Sequence, residues 1–252
     1  MLEGRVALVT GGGKGLGAAI ALRLAAAGAR VAVLGRDRNS ISNIAREIDA
    51  LPLTADVTNP NDVNDALLRM REALGDATIL VQNAGIAESA PFEGTTDEMW
   101  DRHMTTNATA PFRIARAMVP AMVKIGWGRI VHIASTAGLV GFRFTAAYIA
   151  SKHALVGLTR ALAAELARTG VTVNAVCPGF LDTEMTRRVI DRIVEKTKKT
   201  KDEALAEIVS FNPQKRLIKT DEVAHVVTML CSDAARGVTG QAIPVDGGQV
   251  MR

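Results

Sequence analysis

Tyr148 and Lys152 stand four positions apart in the run Tyr148-Ile149-Ala150-Ser151-Lys152, and Tyr148 is the only tyrosine in 252 residues. On a helix that spacing puts the phenol and the ammonium on one face. The chemistry such a pair offers is proton transfer by a phenol made more acidic. Bringing a tyrosine from a pKa near ~10 to about 7 means favouring the phenolate by roughly 4 kcal/mol. One cation about 4 Å away at an effective dielectric of ~20 supplies a comparable amount. Taken alone, Tyr-x-x-x-Lys is equally an ordinary helical pair, so the rest of the chain has to decide. Ser135 ends the apolar run Ile130-Val131-His132-Ile133-Ala134, and Asn107 sits among Thr106, Ala108 and Ala110 with Pro111 close behind. By itself Asn107 reads as a capping or satisfied core amide.

A second kind of chemistry is written near the start. Val6-Ala7-Leu8-Val9 meets Thr10-Gly11-Gly12-Gly13-Lys14-Gly15-Leu16-Gly17, followed by a helical pattern with Ile20, Leu24 and Ala27 on one face. Glycines let the backbone turn tightly and let a pyrophosphate approach amides at a helix N-terminus. The spacing Gly11-x-x-x-Gly15-x-Gly17 differs from the usual Gly-x-Gly-x-x-Gly fingerprint. Val31-Ala32-Val33-Leu34 forms the next strand, whose C-terminal edge lies near an adenosine ribose in such folds. There the chain reads Gly35-Arg36-Asp37-Arg38. Arg36 and Lys14 suit a 2′-phosphate, so NADP(H) is the expected cofactor. NAD(H) is the alternative, because Asp37 would serve a hydroxyl and the arginines would then be solvated charges. Asp56, after the third strand, is either an acceptor for the adenine amino group or a turn aspartate. Asn83-Ala84-Gly85 follows the fourth strand with residues small enough for close backbone approach.

The elements that must position these groups alternate. Helical patterns over about 39 to 49 and 60 to 74 flank strands at Leu51 to Thr54 and Ile79 to Val81. A long helical stretch covers roughly 97 to 125, locally opened near Pro111. Strands at Ile130 to Ala134 and Val171 to Val176 bracket a helix over about 147 to 169. A charged helical segment to about 211, a helix over about 220 to 231 and a strand near Ala242 to Val245 complete the order. Alternation of this kind predicts a parallel sheet with helices on both faces. With 48% hydrophobic and 22% charged residues and no linker, the chain reads as one globular domain over 1–252. A net charge of +4 with scattered basic residues gives no case for nucleic acid. Cys177 and Cys231 lack metal-ligand spacing and read as reduced, packed thiols, so no metal is expected. The start carries no signal-peptide pattern and no run reaches membrane-spanning length, which points to the cytoplasm.

With the glycine loop, Ser135, Tyr148, Lys152 and Pro178-Gly179 in place, the chain resembles the classical short-chain dehydrogenase/reductase family from end to end. The resemblance implies a single-domain Rossmann-type doubly wound sheet of about seven strands. It places the catalytic four on Asn107, Ser135, Tyr148 and Lys152. Cofactor contacts fall on Gly11, Lys14, Gly15, Leu16, Gly17, Arg36, Asp56, Val57, Asn83, Ala84, Gly85, Tyr148, Lys152, Pro178, Gly179 and Thr183. It also implies that Tyr148 exchanges the proton while hydride passes between nicotinamide and a carbonyl carbon. Ser135 polarises the carbonyl oxygen, Lys152 lowers the tyrosine pKa and Asn107 orders a water behind it. The family's Asn-Asn-Ala-Gly reads Gln82-Asn83-Ala84-Gly85 here. The stretches Gly128 to Val131 and Pro178 to Met185 look like β-ketoacyl-thioester reductases and polyketide ketoreductases. They also look like D-3-hydroxybutyrate dehydrogenases, but those carry a histidine two residues after the serine, where this chain has Ala137.

From Asp182 to Lys215 two amphipathic patterns, with Ile190, Ile193 and Val194 and then Leu205, Ile208 and Val209, flank the basic run Lys196 to Lys201. They read as a helical lid at about 182–215 over the substrate, with lysines near the phosphates of a thioester arm, or as a solvated hairpin. The helix after Ala147 is apolar nearly all round, and the family is commonly tetrameric, so a homotetramer is expected. Readings from other classes are a catalytically silent dinucleotide sensor and a structural subunit of a multienzyme complex.

Overall fold

Strands covered on both faces belong to parallel sheets flanked by helices, and the strands here are buried throughout their middle. Val6–Thr10 (β1), Gly128–Ile133 (β5) and Val171–Pro178 (β6) have no exposed residue. The computed structural model describes residues 1–251. With Arg30–Gly35 (β2), Leu51–Thr54 (β3), Ile79–Gln82 (β4) and Ala242–Val245 (β7), these strands form one seven-stranded sheet in the order β3-β2-β1-β4-β5-β6-β7. Every pairing is parallel. That is the Rossmann-type doubly wound arrangement, whose order reverses between β1 and β4.

Alternation along each strand sorts the helices onto two faces. Ala7 and Val9 of β1 pack with Ile20 and Leu24 of Gly15–Ala26 (α1), Ile41 of Arg38–Ile48 (α2) and Val223 and Val227 of Thr220–Leu230 (α9). Val6 and Leu8 face the other way. They meet Val63 and Leu67 of Pro60–Leu74 (α3), Ile114 of Ala110–Ile125 (α5) and Ala163 of Ala146–Leu166 (α6).

The long helical stretch ahead of β5 is interrupted as expected near Pro111. Asp97–Met104 (α4) runs into a π-helical turn, Thr105–Thr109, before α5 begins. A proline has no N–H to give the carbonyl four residues back, and the wider turn accommodates the gap. The charged segment after β6 is two helices, Glu184–Lys196 (α7) and Lys201–Ser210 (α8), the second started by a Thr200–Glu203 capping box. Boundaries elsewhere move by a few residues: α6 stops at Leu166 and β6 continues to Pro178. Leu155, Val156, Ala163 and Leu166 of α6 are buried within the chain itself, while Gly157, Ala161 and Ala164 face outward.

At the switch point the ends of β1 and β4 are tied together. Thr10 Oγ1 accepts from the backbone N–H of Asn83 and of Ala84, both at 3.1 Å. Asn83 Nδ2 donates back to the carbonyls of Thr10 and Gly11, at 3.2 and 3.1 Å. Thr10 is 2% exposed, so Thr10→Val leaves two sheltered N–H groups without an acceptor. The expected loss is about 1–3 kcal/mol, measured by chemical denaturation, with Thr10→Ser close to the parent protein.

Candidate active site

The C-terminal edge of β5 delivers Ser135, and the first turn of α6 delivers Tyr148 with Lys152 one turn on. The Ser135 hydroxyl is near enough to the phenol to favour its ionised form, and Ser135 Oγ accepts from Ala137 N–H at 3.1 Å. Lys152 is buried, and its Nζ donates to the Ile133 carbonyl at 2.8 Å. Ser135, Tyr148 and Lys152 therefore converge as the sequence implied.

Their electrostatics differ from the expectation. Burial pushes the Tyr148 phenol above its ordinary value, the Ser135 hydroxyl opposing the shift and Cys177 adding to it. Lys152 Nζ lies 5.8 Å from the tyrosine ring centre and is engaged by a backbone carbonyl. Desolvation, which disfavours the phenolate, is the leading cause of the raised value. The same burial lowers Lys152 to about 8, with Cys177 acting the other way. Cys177, under these groups, is pushed up to about 11 chiefly by burial, and Cys231 to about 12 for the same reason, so both thiols stay protonated.

Asn107 is fully buried in the π turn, and its amide is spent on a clamp. Oδ1 accepts from Ile86 N–H and Nδ2 donates to Ile86 C=O, each at 2.9 Å, while Nδ2 also donates to Ser151 Oγ at 3.0 Å. Both donors being taken, the expected water-ordering role does not fall to the side-chain N–H groups. Ser151 in turn donates to the carbonyl of Tyr148 at 2.7 Å. A Cβ on Gly85 would lie 3.1 Å from Asn107 Oδ1 and 3.6 Å from Lys152 Nζ, so only glycine lets that loop lie against both groups.

The glycine loop has the geometry of a dinucleotide cradle. Gly11 and Gly15 have φ of +65° and +52°. A Cβ on Gly17 would meet the Gly11 carbonyl at 2.1 Å, so the turn closes on itself and leaves backbone facing outward. The first turn of α1 holds no acidic side chain, which leaves its N–H groups free for a phosphate. Leu16 is buried in the core and offers the cradle only its backbone, and Val57 packs partly buried on the α3 face. Thr183 stands over the cradle, its Cγ2 3.5 Å from where a Gly15 Cβ would be. Gly179, following Pro178, is tied by its N–H to Val245 C=O at 3.1 Å.

At the adenosine end Lys14 pairs with Asp37 at 3.0 Å and Arg36 approaches Asp56 at 3.8 Å. Asp37 caps α2, accepting from Asn39 and Ser40, and these Ser40 bonds with Lys14 hold its carboxyl far below the usual range. Asp56 accepts from both the N–H and the hydroxyl of Thr58, at 2.9 and 2.7 Å, so it is a turn aspartate with its second oxygen toward Arg36. In the α7–α8 hairpin Lys199 pairs with Glu207 and Lys201 with Asp191, exposed ion pairs on the outer surface, as expected of lysines outside the lid.

Two contributors were missed in the sequence. Ile86 lies in a loop without periodicity, which gave no signal. His103 stands four residues before Asn107 and shares its helix face, a signal that was present.

Among the described residues no group of His, Cys, Asp and Glu gathers to hold a metal, and no helix is long and apolar enough to cross a membrane. A family model described as enoyl-(acyl carrier protein) reductase matches residues 11–249. The chain is 38% identical to 3-oxoacyl-[acyl-carrier-protein] reductase FabG of Escherichia coli (strain K12), covering 99% of this chain and 98% of that one. It is 35% identical to a D-beta-hydroxybutyrate dehydrogenase of Rhizobium meliloti (strain 1021), covering 97% and 98%. A crystal structure of a variant of actinorhodin polyketide ketoreductase with NADPH superposes with a TM-score of 0.95 at 38% identity, covering 99% of each chain.

The depressed lysine has a thermodynamic signature. The folded chain binds fewer protons than the unfolded one between about 8 and the ordinary 10.5, so this group makes stability rise with pH across that window. Lys152→Met removes the contribution. The stability of that variant relative to the parent, by denaturation at a series of pH values, is expected to fall as pH rises from about 8 to 10.5, and a flat difference would contradict the shift.

Proposed function

Because the chain belongs to the short-chain dehydrogenase/reductase family, we propose that it is an NADPH-dependent ketoreductase acting on a β-ketoacyl thioester or a similar ketone. The observation that carries this reading is the half-buried, protonated phenol of Tyr148 beside Ser135, with Lys152 one helical turn on. A phenol kept neutral across the physiological range is a proton donor in waiting. Bound NADPH would supply the hydride to the carbonyl carbon. Tyr148 gives its proton to the carbonyl oxygen, and the Ser135 hydroxyl donates a hydrogen bond to that oxygen as charge develops. Lys152, anchored on Ile133, is the cation one turn from the phenol; it would restore the phenol's proton and would hold the nicotinamide ribose of a bound cofactor. Asn107 holds the loop after β4 and, through Ser151, the backbone of Tyr148. The glycine cradle, Asn83 to Gly85, Pro178-Gly179 and Thr183 line the dinucleotide path.

The carboxylate of a small hydroxy acid finds no partner at Ala137, which is buried and has no polar side chain. That weighs for a ketoreductase and against a hydroxybutyrate dehydrogenase. The α7–α8 hairpin supports a lid: Phe211 at its end packs edge-on against Phe142 at 6.4 Å, ahead of α6, and Arg192 reaches Ser89 at 3.4 Å. Met185 and Phe211 are half exposed there, suited to an acyl chain. A homotetramer fits the outward apolar residues Phe112, Val123 and Ile125 of α5 and the small residues on α6. The setting is taken to be the cytoplasm.

The parent protein is expected to oxidise NADPH with a β-keto ester, followed by absorbance. Tyr148→Phe is expected to lose at least ~10²-fold in turnover while still binding NADPH, and near-normal turnover would sink the assignment.

The cofactor preference rests on Lys14 and Arg36. Asp37 is occupied in capping α2 and pairing Lys14, so Arg36 is the charge best placed to meet a 2′-phosphate, 75% exposed and only loosely opposed by Asp56. Arg36→Asp is expected to move the NADPH-to-NADH ratio of kcat/KM toward NADH by about tenfold or more. An unchanged ratio would refute the assignment.

A further inference from the structure

His103 is fully buried at the end of α4, and neither ring nitrogen is idle. Nδ1 lies 2.7 Å from the Met99 carbonyl and therefore carries the proton. Nε2 is then the acceptor, and it takes the backbone N–H of Glu88 at 3.0 Å. The imidazole stands edge-on to the Tyr148 ring, with centroids 6.2 Å apart and planes at 71°. Glu88 is further held by its own carboxylate on Arg102 at 3.0 Å.

The segment His103 grips runs from Ile86 to Ala90, between β4 and the catalytic helix. Asn107 holds Ile86 at one end. At the other end Ala90 N–H donates to Phe144 C=O at 2.8 Å, and Phe144 has a φ of +64°, a strained conformation for an aromatic residue. Arg192 of α7 reaches Ser89 in between. This one strip thus touches the α4–π-turn stretch that carries His103 and Asn107, the loop ahead of α6 and the α7–α8 hairpin.

We propose that His103 is a positioning residue for ketone reduction: its Nε2 fixes the Glu88 amide, and so the substrate-side wall, while its ring edge holds the orientation of the Tyr148 phenol. The inference rests on the ketoreductase reading for its kinetic part. The dinucleotide cradle touches neither His103 nor Glu88, so the effect falls on the carbonyl substrate. A wall displaced from the phenol misplaces the carbonyl, not the cofactor.

Two variants separate the acceptor from the ring. His103→Phe keeps an aromatic edge against Tyr148 and removes the acceptor. His103→Gln restores an acceptor without the ring. In His103→Phe, KM for a β-keto ester is expected to rise about tenfold, with the NADPH dissociation constant unchanged and amide exchange across 86–90 faster by about the same factor. His103→Gln is expected to return exchange to within about threefold of the parent and to recover most of KM, while kcat stays lowered for want of the ring. Exchange across 86–90 unchanged in His103→Phe, or variants that lose only thermal stability with KM and kcat per folded protein intact, would overturn the proposal. Exchange is read without turnover. An inactive parent with the expected exchange pattern would therefore overturn the ketoreductase reading and leave the His103–Glu88 link standing.

Discussion

A parallel sheet cannot join neighbouring strands by a short turn, and that restriction shapes this molecule. Each strand end must release its chain into a helix, so β1 and β4 finish side by side with backbone groups that have no ladder partner. Thr10 and Asn83 supply the missing partners reciprocally. The closed crevice edge that results is where the glycine turn meets the loop after β4. The close fit of Gly17 on the Gly11 carbonyl and of Gly11 on Asn83 then follows from geometry, since a side chain at either glycine would collide with the closure itself.

The second support is the helix broken by Pro111. An uninterrupted α-helix would satisfy its own backbone and carry Asn107 along a regular face. The π turn widens that stretch, and Asn107 reaches both polar groups of Ile86 in a loop that has no secondary structure to hold it. His103, one turn earlier, adds a grip on the same loop. The functional side of the molecule is in this sense held by side chains reaching to backbone, while the sheet behind it is held by its backbone ladder and the apolar side chains on both faces. A loop with few apolar contacts gains rigidity that way at the cost of two buried polar residues, each acceptable because its hydrogen bonds are made.

The fold and most of the site were legible because they rest on local signals. Alternating apolar runs marked the strands, and Ala242–Val245 was found with its bounds intact. The glycine turn, Ser135, Tyr148 and Lys152 each carried their meaning in type and spacing. Effects that depend on partners distant in the chain were not legible. The acidity of Tyr148 was expected to fall because Lys152 is near it in sequence, but burial decides it, and burial is a property of the assembled cleft. The basic run after α7 read as solvent-facing lysines and is exposed; that Asp191 and Glu207 pair with two of them was not legible. Asn107 by itself read as an ordinary core amide and gained a catalytic role only through the family resemblance; its clamp on Ile86 depends on a loop the sequence could not place.

The strand order also dictates how the molecule is built during synthesis. The first strand to leave the ribosome is central, flanked by β2 and β4, so the early half of the chain can pair into a four-stranded block, β3-β2-β1-β4, before β5 exists. The chain emerges from its N-terminus at about 5–20 residues per second, although a domain completes its folding as a unit. The dinucleotide cradle lies wholly within that early block, together with Asn83 to Gly85. The proton donor, the lysine behind it and the hairpin above them arrive later, on β5, α6 and the segment after β6. A nascent chain therefore holds a phosphate-binding turn and an open β4 edge well before it holds any chemistry.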